Sequence, residues 1–269
     1  MPSNNLNELC LNTLKEVFGF SKYRDGQREI IESILHNKNI LAVMPTGAGK
    51  SLCYQLPAII SEKKTIVISP LIALMDDQID SLRDYGVSVE AIHSNLSNED
   101  NKKSWNNFRE GKSKIIYMSP ERLMTSQMLK ELKDLDIGLF VIDEVHCVSK
   151  WGQSFRKDYE ELSQIKKLFP ESNIAGFTAT ADRSTRQDIV EKIFHSKPIV
   201  FVKGFDRPNL SLAIALKNDW KKQLIDFLSI RKKQSGIVYC LSRKKTEEVS
   251  QLLNKEGFRA SAYHAGMKG

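Results

Sequence analysis

The sequence predicts an α/β fold built on a doubly wound parallel sheet, and three observations predict it. A glycine-rich loop, Met44 to Ser51, stands between an apolar β-branched run and a helical pattern. After it, short apolar runs alternate with amphipathic stretches. One of those runs, Leu139 to Ile142, delivers an acidic pair, Asp143-Glu144, where a parallel strand would end.

Composition sets outer limits. At 269 residues the chain suits one large domain or two ordinary ones, on a prior of about 150 residues per domain. A formal charge of +7 mildly favours a polyanionic partner. Cys10, Cys53, Cys147 and Cys240 lie far apart with no C-x-x-C pair, which argues against a disulfide framework or a zinc site and for reducing surroundings. The amino terminus lacks a basic start followed by an apolar run, and no stretch is apolar enough to span a bilayer. The expected location is therefore cytoplasmic, on a bacterial nucleoid, or nuclear; secretion and a membrane are not expected.

Taken in order, Leu6, Leu9, Cys10, Leu14, Val17 and Phe18 have the spacing of an amphipathic helix. A turn-rich segment, Phe18 to Gln27, opens a second helix through Ile30, Ile31, Ile34 and Leu35. Phe20 beside Arg24 and Gln27 suits holding a base, the ring by stacking and Gln27 through both edges of its amide. A helix start with ordinary packing aromatics explains the same residues equally well.

Next, Ile40 to Val43 reads as a buried strand and leads into Met44-Pro45-Thr46-Gly47-Ala48-Gly49-Lys50-Ser51. Strand, glycine loop and helix make a phosphate cradle, because Gly47 and Gly49 let backbone N–H groups turn inward at a helix N-terminus. Lys50 would reach the β and γ phosphates and the Ser51 hydroxyl would ligate Mg²⁺. The strict pattern begins with Gly, and Met44 stands there instead.

Two strand-to-turn passages then echo each other: Ile66-Val67-Ile68 into Ser69-Pro70, and Ile115 to Met118 into Ser119-Pro120. In each, Ser can cap a helix whose first turn holds the Pro, leaving N–H groups that suit nucleic-acid phosphates or serve only as caps. Asp143, at the end of the 139–142 run, suits holding Mg²⁺, and Glu144 suits orienting and deprotonating the attacking water. Alone, such a pair would read as a solvated loop; the upstream phosphate loop reverses that. Trp151, Phe155 and Tyr159 interleave with Lys150, Arg156 and Lys157 as stacking and phosphate-pairing groups for a single strand. Finally, Ile174 to Phe177 runs into Thr178-Ala179-Thr180, whose hydroxyls suit linking the nucleotide and polymer sites, unless Thr180 simply caps the next helix.

In this order the motifs resemble the RecQ family of DNA helicases. Phe18 to Gln27 resembles its adenine-recognition motif, which implies base contacts from Arg24 and Gln27 with Phe20 stacking. Met44 to Ser51 resembles its Walker A loop, with Ala48 where many members have Gly, and Asp143 to His146 its Walker B box, with Val145 for the usual Ala. Trp151, Phe155 and Arg156 match its aromatic-rich loop, although Gln153 and Ser154 replace the frequent His-Asp; Thr178 to Thr180 matches the motif joining hydrolysis to unwinding. The resemblance implies ATP and Mg²⁺ as cofactors, single-stranded or duplex DNA as partner, and a RecA-like P-loop NTPase domain over residues 1–205. An incomplete second RecA-like domain would cover 206–269, with strands near Gly236 to Cys240 and Ala262 to Gly266.

The family's arginine-finger motif, zinc-binding region and winged helix find no match, so this polypeptide is expected to bind ATP, hydrolyse it poorly and not unwind duplexes. Continued in full, it would be a 3′ to 5′ helicase. Among rivals, a GTPase would need an Asn-Lys-x-Asp guanine reader, which does not occur; His146 and the 151–159 loop point away from an RNA helicase; a non-catalytic ATP- or DNA-binding module stays open. Arg231 to Lys233 and Arg243 to Lys245 read as solvated faces. Protein partners are not legible.

Overall fold

The computed structural model describes residues 3–149, 156–194, 196–204, 210–231 and 234–267. The chain divides into two units, Met1–Asp206 and Arg207–Gly269. In the first, α1 (Ser3–Phe18) and α2 (Gln27–Leu35) precede β1 (Ile40–Val43). There follow α3 (Lys50–Ile60), β2 (Lys64–Ile68), α4 (Ile72–Asp84), β3 (Val89–Ile92), α5 (Asn98–Arg109) and β4 (Ile115–Met118). Then come α6 (Pro120–Leu123), α7 (Ser126–Leu132), β5 (Ile137–Ile142) and a 3₁₀ turn, Val145–Val148. The unit closes with α8 (Lys157–Glu160), α9 (Ile165–Leu168), β6 (Asn173–Thr178), α10 (Arg183–Ile189) and β7 (Ile199–Val202).

Among the described residues seven strands form one sheet in the order β3-β4-β2-β5-β6-β1-β7. Every pairing is parallel. The alternation of side chains sorts two cores onto its faces. Ile40, Ala42, Val67, Tyr117, Val141 and Phe177 join α1 to α4, while Leu41, Ile66, Ile68, Ile116, Phe140 and Ile142 join α5, α7 and α10. Helices on both faces are what allow the central strands to be apolar throughout, and each fully buried Ile or Phe contributes about 1.5–3 kcal/mol.

The strands named from the sequence are five: β1, β2, β4, β5 and β6. The two it missed, β3 and β7, are the two edges. Ile199, Val200 and Val202 of β7 remain 41–48% exposed, so the burial that writes a strand into sequence is weakest there.

The paired Ser-Pro turns are not equivalent. Ser119 caps α6 as anticipated, its side chain accepting from the Arg122 N–H with Pro120 in the first turn. Ser69 does not cap α4. Leu71, extended at φ −125 and ψ 107, takes the N-cap position, and Pro70 lies outside the helix. Among the described residues the buried Ser69 hydroxyl has no hydrogen-bond partner, and its backbone N–H is spent on the Met118 carbonyl at 3.2 Å. Nor does Thr180 cap the helix that follows, since Asp182 accepts from the Thr185 N–H in that position.

In the second unit, α11 (Trp220–Ser229) is capped by Asp219 and α12 (Arg243–Lys255) by Ser242. The Lys245 ammonium sits 3.6 Å from the Trp220 ring centroid. The expected strands at 236–240 and 262–266 are not formed among the described residues. A parallel strand exists only through a neighbour's ladder, and without one Ile237 and Tyr239 stay 80% and 90% exposed. No helix among the described residues is long and apolar enough to cross a membrane.

The unequal turns give unequal substitutions. Ser119→Ala should lower unfolding stability by about 0.5–2 kcal/mol through the lost cap. Ser69→Ala, which removes a buried hydroxyl with no partner, should cost less than about 0.5 kcal/mol or stabilise. Urea midpoints at constant m-value measure both.

Candidate nucleotide site

Strands β5, β6 and β1 are consecutive neighbours, so their carboxyl ends deliver Asp143, Thr178 and the glycine loop to one edge. Gly47 and Gly49 adopt φ of 83° and 77°, the left-handed region that glycine enters without steric cost, and α3 begins at Lys50. Met44 explains why the first glycine is dispensable. It stands one residue past β1, its N–H donating to the Thr178 carbonyl at 3.0 Å, and its side chain is wholly buried in the core.

The loop is clamped from the first residue of α2 and the turn before it. Arg24 donates to the Gly47 carbonyl at 2.6 Å, and the Gln27 amide donates to the carbonyls of Ala48 and Gly49 at 3.3 and 3.1 Å. The oxygen of Gln27 accepts from the Arg24 N–H at 2.8 Å. Both ends of the amide are thus engaged by the chain itself, where the sequence had suggested a base. A Cβ on Gly49 would stand 2.5 Å from the Gln27 Nε2, a second reason for glycine there. Phe20 is 44% exposed, and Pro45 is half-buried beside the exposed Thr46.

On the facing strand, the Asp143 N–H donates to the Ile68 carbonyl at 2.9 Å and its own carbonyl accepts from the buried Tyr159 hydroxyl at 2.9 Å. The Asp143 carboxylate accepts from the Glu144 N–H at 3.0 Å. Burial and then the adjacent Glu144 charge push its pKa up to about 6, while that N–H and the Lys50 ammonium pull the other way. The same ammonium acts on Glu144, so Lys50, Asp143 and Glu144 lie close enough to share a field. Glu144 itself sits at φ 49°, an unusual conformation for a residue with a side chain.

That turn aims Glu144 at His146, whose Nδ1 lies 3.1 Å from the carboxylate and 2.7 Å from the Thr178 hydroxyl. The Cys147 sulfur and the Glu144 carboxylate raise the imidazole to about 9; the carboxylate is the stronger influence, since the sulfur stands 3.9 Å away. Glu144 is held below the usual carboxylate range by His146 and is ionised at neutral pH. The Thr178 hydroxyl passes on to the Thr180 carbonyl at 3.1 Å, leaving Thr180 exposed at the end of the chain of contacts. Hard oxygen donors are present for a magnesium nucleotide in the Ser51 hydroxyl and the Asp143 carboxylate, beside a loop shaped for phosphate.

Of the residues expected to meet a polymer, Ser69 and Pro120 are buried. Pro70 and Ser119 line a cavity of about 830 Å³ with Lys102, Arg109 and Arg122, three cations that the sequence reading did not single out. Arg156 is exposed and donates to the Pro70 carbonyl at 3.0 Å. Trp151 and Phe155, like Lys150, Gln153 and Ser154, lie outside the described residues. Tyr159 is not a surface aromatic but the buried prop beneath Asp143.

Comparison with known proteins agrees with this architecture. The family model described as DEAD/DEAH box helicase matches residues 24–189. The ATP-dependent DNA helicase RecQ of Pasteurella multocida is 40% identical over 263 residues, 98% of this chain and 42% of that protein. The probable ATP-dependent DNA helicase RecS of Bacillus subtilis is 37% identical over 95% of this chain and 52% of its own length. The mouse ATP-dependent DNA helicase Q1 is 38% identical over 96% and 42%. This chain therefore spans about half or less of the curated relatives it matches. Among solved structures, a DEAD box protein from Methanococcus jannaschii superposes with TM-score 0.57 at 23% identity, covering 99% of this chain and 73% of the other, a likeness of fold.

The clamp predicts a result that base recognition alone does not. Gln27→Ala should weaken binding of inorganic tripolyphosphate as well as of ATP, each by about 3- to 10-fold, because it releases the phosphate loop. Isothermal titration with both ligands measures it.

Proposed function

The chain belongs to the DEAD/DEAH box helicase family, and from that membership we propose that it is the nucleotide-driven motor part of a RecQ-type DNA helicase. The sheet order, which brings the glycine loop with Lys50 and the acidic pair Asp143-Glu144 to one edge, carries this reading. In it, Lys50 and the N–H groups of residues 47–51 hold the phosphates of ATP, and Ser51 and Asp143 hold Mg²⁺. Bound magnesium supplies charge neutralisation at the transferred phosphoryl group. Glu144, ionised and turned by its φ toward the edge, orients water and takes its proton. His146 fixes Glu144 and joins it to Thr178. Arg24, Gln27 and Phe20 lie at the adenine end, where base contact by Gln27 requires it to let go of the loop carbonyls.

Single-stranded or duplex DNA is the proposed polymer. Pro70, Ser119 and Arg156 supply the reachable contacts among the described residues, with Trp151 and Phe155 as stacking groups, Ser69 and Pro120 shaping the turns, and Thr178 and Thr180 linking strand to nucleotide. The proposed place of work is the bacterial nucleoid or a nucleus.

Two variants test the reading. Lys50→Ala should weaken Mg-ATP binding by about 10- to 100-fold, the value of hydrogen bonds to a charged ligand. Glu144→Gln should bind Mg-ATP nearly as the parent does, and wherever the parent turns ATP over, its rate should fall by about 10²- to 10⁴-fold. Equal displacement of labelled ATP by GTP, or tighter binding of single-stranded RNA than DNA of equal length, would sink the assignment.

A further inference from the structure

One polar group on α4 has no place in the site as drawn above. Gln78, half-buried, accepts a 2.6 Å hydrogen bond from the Tyr54 hydroxyl of α3, and it lies close enough to the Asp143 carboxyl to favour its charged form. The orientation of the Gln78 amide is fixed by chemistry. An ionised carboxylate only accepts, so the NH₂ faces Asp143 and the oxygen is left for the phenol. Tyr54 is one turn beyond Ser51 on the same face of α3, within reach of its hydroxyl, and is 1% exposed. One turn of α3 thus leads from the Ser51 hydroxyl to Tyr54, and Gln78 leads on from Tyr54 to Asp143. The next residue repeats the pattern, since the Gln55 amide donates to the buried Tyr117 hydroxyl of β4 at 3.2 Å.

Building on the nucleotide reading, we propose that Gln78 and Tyr54 are positioning residues for magnesium: their hydrogen bond sets the Ser51 hydroxyl and the Asp143 carboxylate at a fixed separation across the α3–α4 boundary. Neither touches nucleotide. Each acts through a residue that does. Groups that orient a ligand carboxylate characteristically change metal affinity by about 10- to 100-fold when removed, because the freed side chain must be ordered again by the metal.

The test is the Mg²⁺ dependence of binding of a fluorescent ATP analogue to the full chain, for the parent, Gln78→Met and Tyr54→Phe. Expected is a rise in half-saturating Mg²⁺ of about tenfold for Gln78→Met and about threefold for Tyr54→Phe. Analogue binding in EDTA should stay within about twofold, a separation that general loss of structure would not produce. An unchanged half-saturating Mg²⁺ in Gln78→Met overturns the inference. Should circular dichroism show that variant unfolded, the same result in Tyr54→Phe overturns it. A parent chain that binds the analogue with no Mg²⁺ dependence overturns the nucleotide reading itself, and this inference with it.

Discussion

The carboxylate of Asp143 is the group whose cost the neighbouring structure is arranged to offset. It is buried at the end of a strand covered on both faces, next to a second carboxylate, where an isolated charge would be driven to protonate. Backbone and side chains hold it from several sides: Ile68 and Tyr159 fix its peptide groups, and the Glu144 N–H, Lys50 and Gln78 face its charge. The compensation is incomplete, since burial and the Glu144 charge still push its pKa up to about 6.

From that carboxylate two routes run outward. One passes through Glu144 and His146 to Thr178, which lies on the strand between Asp143 and the glycine loop and whose carbonyl accepts from the Met44 N–H. The other passes through Tyr159 and its near neighbour Arg156 to the Pro70 turn. Both are made of short contacts between elements that adjoin only because the sheet order puts β6 between β5 and β1, and β2 beside β5.

Much of this was legible in the chain. Strands β1, β2, β4, β5 and β6 are buried on both faces and therefore read as largely apolar runs, whereas β3 carries Glu90 and β7 is half open to solvent. The two Ser-Pro turns look alike in sequence, yet only one caps its helix, because cap formation depends on where the helix begins and Leu71 delays it by two residues. Segments 236–240 and 262–266 of the second unit form no ladder among the described residues, since pairing is a property of two segments and not of one.

By itself the sequence determined the glycine loop, the acidic pair after the central strand and the order of the motifs, since each depends on local backbone demands and on apolar runs that stay within a few residues. Tertiary structure alone decided that Gln27 holds the loop's own carbonyls, that Tyr159 faces inward, and that Tyr54 and Gln78 meet beside Asp143. Those contacts join residues 16 to 24 positions apart or fall on opposite sides of a crossover. Their geometry is set by strand order and helix packing, quantities that no short window of residues contains.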